Sequence, residues 1–106
     1  MILVEFENTI FNFSNASIID ITENEFNIYY NNENVIRLEN CDTELDTSSF
    51  SEYFFKFETK DRKIYFNKYN FLYMQQLEGD VVRFQFFEKF AFDIMINFEQ
   101  LISQIE

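Results

Sequence analysis

The side chains with the most chemical potential in this chain are carboxylates. In the stretch ENCDTELDTSS, residues 39–49, Glu39, Asp42, Glu44 and Asp46 place four acids within eight residues, and the last three alternate. Such a stretch can be a cation loop, a patch for a basic partner, or a solvated connection. A helix–loop–helix calcium site needs Gly at its sixth position and a bidentate Glu at its twelfth. Started at Asp42, the stretch offers Thr47 and Tyr53 there; started at Asn40, it offers Leu45 and Ser51. Neither fits, and no metal site is expected.

Paired carboxylates also serve as general acid and base when an apolar enclosure raises one pKa. With 19 acids in 106 residues, pairs are inevitable, so a pair alone carries no signal. A carboxylate-only hydrolase is therefore a remote alternative. The other nucleophiles lack partners. There is no His, so Ser48, Ser49 and Ser51 have no imidazole beside them. Cys41 is the only cysteine, which excludes an intrachain disulfide, a cysteine zinc site and a Cys–His pair; it reads as a passive thiol, with a bridge between two chains as the alternative. Gly79 is the only glycine, so glycine-rich phosphate loops are absent. Lys60, Arg62 and Lys63, in KDRK, read as the solvated end of a hairpin rather than a phosphate site. No catalytic residue and no cofactor are expected; the chain does not read as an enzyme.

The net charge is −11, unevenly spread. Residues 1–59 hold twelve acids and two bases, a net of −10; residues 60–106 hold seven acids and six bases, a net of −1. Direct nucleic-acid binding needs cations to neutralise phosphates, and the acidic half does not supply them. A basic protein is the electrostatically matched partner. The N-terminal MILVEFENT has no basic region and no long apolar run, so neither a signal peptide nor a membrane span is read there, and a cytoplasmic location is expected.

The elements that must position these residues are mostly strands. ILVEF (2–6), IFNF (10–13), SIIDI (17–21), EFNIYY (25–30) and NVIRL (34–38) are separated by Asn- and Glu-rich joints. Asn tolerates the left-handed turn conformations that Gly usually supplies, so YNNEN at 30–34 reads as a hairpin turn. Phe50, Tyr53, Phe54 and Phe57 then fall on one helical face, and Ser49 with Glu52 has capping-box spacing, which predicts a mid-chain helix over 49–59. KIYFN (63–67), NFLYMQQ (70–76), DVVRFQFF (80–87) and FAFDIMI (90–96) follow as strands. Phe98, Leu101, Ile102 and Ile105, behind an Asn97 cap, form a C-terminal helix. The fold class is thus α+β, mainly antiparallel sheet, in one domain.

The halves 1–59 and 60–106 resemble each other. At a shift of 53, Phe11, Phe13, Ile18, Ile19 and Ile21 meet Ile64, Phe66, Phe71, Leu72 and Met74. With small gaps, Phe26, Ile28 and Tyr30 meet Val82, Phe84 and Phe86; Ile36 and Leu38 meet Phe92 and Ile94; and the two helices align. Each half then reads as a strand-rich unit ending in a helix.

Sixteen Phe and six Tyr make 21% of the chain aromatic. Several strands carry apolar residues on both faces, which requires either cover on both sides or an aromatic surface for a partner. Tyr29, Tyr65, Tyr69 and Tyr73 are the expected surface members, because a phenol hydroxyl favours water or a partner.

These features predict a small acidic binding protein. Glu39, Asp42, Glu44 and Asp46, with Glu23, Glu25 and Glu33 from nearby turns, form an anionic face that mimics nucleic acid and inhibits a basic protein such as a nuclease or a CRISPR-type effector. In size, charge and missing residue types the chain resembles immunity proteins against nuclease toxins and phage-encoded anti-CRISPR or other anti-defence proteins, without any shared motif. Its Asn, Ile, Phe, Lys and Glu usage suits an AT-rich source, which fits many mobile elements and also many ordinary bacteria. The alternative is a structural or regulatory homodimer that uses the aromatic faces.

Overall fold

The computed structural model describes residues 2–31, 34–39, 48–87 and 89–105. Ten strands and one helix follow in order: β1 (Leu3–Phe6), β2 (Thr9–Asn12), β3 (Ile18–Thr22), β4 (Glu25–Tyr29), β5 (Val35–Glu39), β6 (Phe54–Glu58), β7 (Lys63–Asn67), β8 (Phe71–Leu77), β9 (Val81–Phe86), β10 (Ala91–Met95) and α1 (Phe98–Ile105). All pairings are antiparallel. The fold is α+β, as expected.

Short polar turns set these pairings. Between β1 and β2, Glu7 and Asn8 both adopt left-handed φ, 47° and 65°. That is the two-residue turn whose twist matches a hairpin. Gly79 and Asp80, at φ 71° and 55°, turn β8 into β9. The α1 start is capped as the sequence suggests, with Gln100 N donating to Asn97 Oδ1 at 2.9 Å. None of the described helices is long and apolar enough to cross a membrane.

The mid-chain helix does not form. Phe50–Glu52 make one 3-10 turn, and the Ser49 side chain makes no cap hydrogen bond. Phe54 and Phe57 instead lie in β6, paired with β7 from Phe54↔Asn67 to Glu58↔Lys63. The segment FFKFE suits a pleated strand, and β7 supplies its backbone partners. A helix there would leave the β7 edge unpaired.

Three layers result. The central sheet runs β5-β4-β3-β7-β6. The hairpin β1–β2 covers one of its faces, where Ile2, Phe13, Ile19, Phe26, Ile28, Phe50 and Tyr65 form one core. The sheet β10-β9-β8 and α1 cover the other, where Ile18, Phe57, Ile64, Phe66, Phe84, Phe86 and Leu101 form a second. Adjacent residues Ile18 and Ile19 on β3 enter opposite cores, as do Ile64 and Tyr65 on β7. This two-sided cover explains the strands that are apolar on both faces.

The strand registers recur along the chain. Within β1–β2, Leu3↔Asn12, Val4↔Phe11 and Glu5↔Ile10 become Lys56↔Tyr65, Phe57↔Ile64 and Glu58↔Lys63 within β6–β7, all at a shift of 53. Within β4–β5, Phe26↔Leu38, Asn27↔Arg37 and Ile28↔Ile36 become Val82↔Ile94, Arg83↔Asp93 and Phe84↔Phe92 within β9–β10, all at a shift of 56. The turn bond from Tyr30 N to Asn34 O recurs at the same shift, from Phe86 N to Phe90 O. Each unit is a hairpin followed by a three-stranded meander, so Phe54 and Phe57 start the second unit rather than ending the first. The two cores accordingly hold equivalent residues, Phe26 and Leu38 in one and Val82 and Ile94 in the other.

Candidate partner-binding surface

The antiparallel order of β3, β4 and β5 decides which acids meet. β3 ends at Thr22, β4 begins at Glu25, and β5 ends at Glu39, so all three reach the same end of the central sheet. Glu23 lies exposed in the turn between β3 and β4. Glu25 and Glu39 are direct cross-strand partners. Like charges in that position repel. Arg37 offsets this: its Nε lies 2.9 Å from Glu25 Oε1 and donates to Asn27 Oδ1 at 3.0 Å. Glu7, in the β1–β2 turn, shares an open cleft of about 400 Å³ with Glu39, Arg37, Phe6, Thr9, Phe11 and Leu38.

Three acids, Glu7, Glu25 and Glu39, therefore lie near Arg37, and Glu23 stands in the adjoining β3–β4 turn, on the cleft that Lys60, Arg62 and Lys63 also line. Glu7 was not among the residues expected from sequence. Its position depends on the β1–β2 hairpin packing beside β5, which no local pattern encodes. Glu33, Asp42, Glu44 and Asp46 lie outside the described residues.

Beside the acids, at the β6–β7 turn, charges are balanced. A cleft of about 430 Å³ is lined by Glu23, Glu58 and Asp61 and by Lys60, Arg62 and Lys63, with Ile21, Thr22 and Thr59. Arg62 is committed to Asp20 on β3, with Nε at 2.8 Å and Nη2 at 2.6 Å from its two oxygens. Lys56 Nζ lies 3.0 Å from Glu58, and this hydrogen bond holds the Glu58 carboxyl below its ordinary pKa and the Lys56 amine above its own. KDRK is thus a partly neutralised hairpin end.

Of the four tyrosines expected at the surface, Tyr29 lies within electrostatic reach of Arg37 and Glu25, and Tyr65, Tyr69 and Tyr73 lie elsewhere. Tyr65, expected outside, is 3% exposed, its ring 5.0 Å from Phe50 in a T-shaped contact. It is a core residue, because β7 is covered on both faces. Tyr29 is half-buried 4.9 Å from Phe92. Burial, then the nearby Asp20 charge, pushes its phenol pKa up. Tyr69 is exposed, near Tyr53 and at the far end of β7 from Lys63. Tyr73 is half-exposed on β8. Among the described residues, no three Asp, Glu, Cys or His side chains converge on a metal position.

Comparison of the chain with protein-family models, with curated proteins and with solved structures finds no match.

Proposed function

We propose that the chain is a stoichiometric, non-catalytic binding protein whose anionic sheet end engages a basic, nucleic-acid-handling protein and blocks it. The observation that carries this reading is the grouping of Glu7, Glu25 and Glu39 near Arg37, with Glu23 exposed in the adjoining turn. The run containing Asp42, Glu44 and Asp46 follows Glu39 in the sequence. A concentrated anionic surface draws basic partners into encounter and competes for a cationic groove that otherwise tracks phosphates. The class of target is a nuclease or a CRISPR-type effector, and a cytoplasmic setting goes with it.

The test is charge reversal. Glu23→Lys, Asp42→Lys, Glu44→Lys and Asp46→Lys together are expected to weaken partner binding at least about tenfold at low salt, roughly 1.4 kcal/mol. The wild-type affinity is expected to fall as salt rises, since exposed charges are screened. Unchanged affinity in the reversed protein removes the electrostatic basis of the proposal.

A further inference from the structure

The central sheet is built from both units. The meander β3–β4–β5 of the first joins the hairpin β6–β7 of the second along β3 and β7. The chain holds another meander, β8–β9–β10, and another hairpin, β1–β2, with the recurring registers described above. These two do not meet within one chain. β8 is an edge of its sheet, and β2 pairs only with β1 among the described strands. We infer that β2 of one copy adds to the β8 edge of a second copy, as β7 adds to β3, so that copies join head to tail.

The recurrence specifies the register. The internal junction pairs Ile18↔Phe66, Ile19↔Tyr65, Asp20↔Ile64 and Ile21↔Lys63. The pairing of β8 with β9 sets Tyr73, Met74, Gln75 and Gln76 where β3 has Ile18, Ile19, Asp20 and Ile21 against β4, a shift of 55 that follows the irregularity between Phe71 and Tyr73. With the shift of 53 from β7 to β2, the junction becomes Tyr73 with Phe13, Met74 with Asn12, Gln75 with Phe11 and Gln76 with Ile10 of the other copy. Tyr73 with Phe13 is aromatic on both sides, and no pair sets like charges opposite each other.

Charge placement supports the same pairing independently. Edge strands are kept apart by charged side chains or by covering elements. Of the ten described strands, only β2 (TIFN) and β8 (FLYMQQL) carry no charged residue. The edge strand β6 is covered instead: Glu58 N donates to Gln104 Oε1 of α1 at 2.7 Å, and Gln104 Nε2 donates to Glu58 O at 3.3 Å. β8 is the longest strand, at seven residues. Its Leu72 and Tyr73 are 49% and 48% exposed, whereas Ile18, the equivalent of Tyr73 at the internal junction, is 0% exposed. The protections used elsewhere are missing at the two edges that the recurrence brings together.

An edge-to-edge contact between unlike surfaces is heterologous, so it grows into chains or closes into a ring. This inference does not rest on the inhibitor reading, since it uses a different surface. Two variants test it: Leu72→Lys with Tyr73→Lys on β8, and Ile10→Lys on β2, all at side chains about half or more exposed. Circular dichroism checks that both fold. By analytical ultracentrifugation, wild-type mass is expected to rise with concentration above the 13.0 kDa of one chain. Each variant alone is expected to stay at single-chain mass. Their mixture is expected to double it and go no further, because only one intact β8 and one intact β2 remain per pair. In a Cys41→Ser background, Gln76→Cys and Ile10→Cys on separate copies are expected to form a disulfide, which Gln75→Cys with Ile10→Cys does not. A wild type that stays at single-chain mass overturns the inference. So does a β2 variant that still associates, which would mean β8 pairs with β8, or a mixture of variants that stays at single-chain mass.

Discussion

The Arg62–Asp20 pair offers a sharp test, because the chain carries its own control. Two Arg–Asp pairs share one bidentate geometry. Arg62 approaches Asp20 at 2.8 and 2.6 Å, and Arg83 approaches Asp93 at 2.8 and 3.0 Å. Their burial differs. The Asp20 side chain is 7% exposed and Arg62 35%, whereas Arg83 and Asp93 are 41% and 43% exposed. Removing one partner of a buried pair strands an uncompensated charge and costs about 3–5 kcal/mol. The partial exposure of Arg62 lets water reach Asp20 once the guanidinium is gone, so Arg62→Met is expected near the lower end, about 3 kcal/mol. Asp20→Asn with Arg62→Met removes the stranded charge and is expected to recover most of that loss. Arg83→Met is expected to change stability little, since the pair stands in solvent. Urea unfolding reads all three as midpoint shifts at constant slope. An Arg62→Met midpoint indistinguishable from that of Arg83→Met refutes the reasoning that burial, not geometry, decides the cost. So does a double variant no better than the single one.

Two other perturbations bear on the cores and on pH. Phe66 is fully buried, its ring 4.6 Å from that of Phe84, so Phe66→Ala is expected to cost about 3–5 kcal/mol in the same urea assay. Burial raises the Tyr30 phenol above its ordinary pKa of 10.0, so the folded state keeps that proton after the unfolded state has lost it. Stability from this group is complete below pH 10 and declines as pH climbs past it. Tyr30→Phe is expected to flatten the alkaline decline in thermal melts. At neutral pH it costs about 1 kcal/mol for the lost hydrogen bond to Asn12 O.

What could be read from the sequence was what the chain encodes locally. The α1 helix is legible because Asn97 and the Phe98–Leu101–Ile105 stripe lie within ten residues. The hairpins are legible because Asn-rich and acidic joints separate short apolar runs. The segment 49–59 was misread because its aromatic residues fit a helix period, while the β7 edge that captures them as a strand is a partner no local pattern reveals. Tyr65 was misplaced for a related reason. KIYFN announces cover on both faces but not which elements supply it. The grouping of Glu23, Glu25 and Glu39 follows from meander register, which the turn residues imply. The addition of Glu7 follows from hairpin-on-sheet packing, which nothing local implies.

One titration tests the proposed inhibition most directly. Tagged protein captures its partner at low salt from lysate of the cell in which it acts, and the purified partner's activity on nucleic acid is measured against increasing amounts of protein. The expected result is a basic partner whose activity is lost near one binding protein per target, restored by salt, and unaffected by the Glu23, Asp42, Glu44 and Asp46 reversal variant. A captured partner that is not basic, or that keeps full activity when saturated with the wild-type protein, contradicts the proposal.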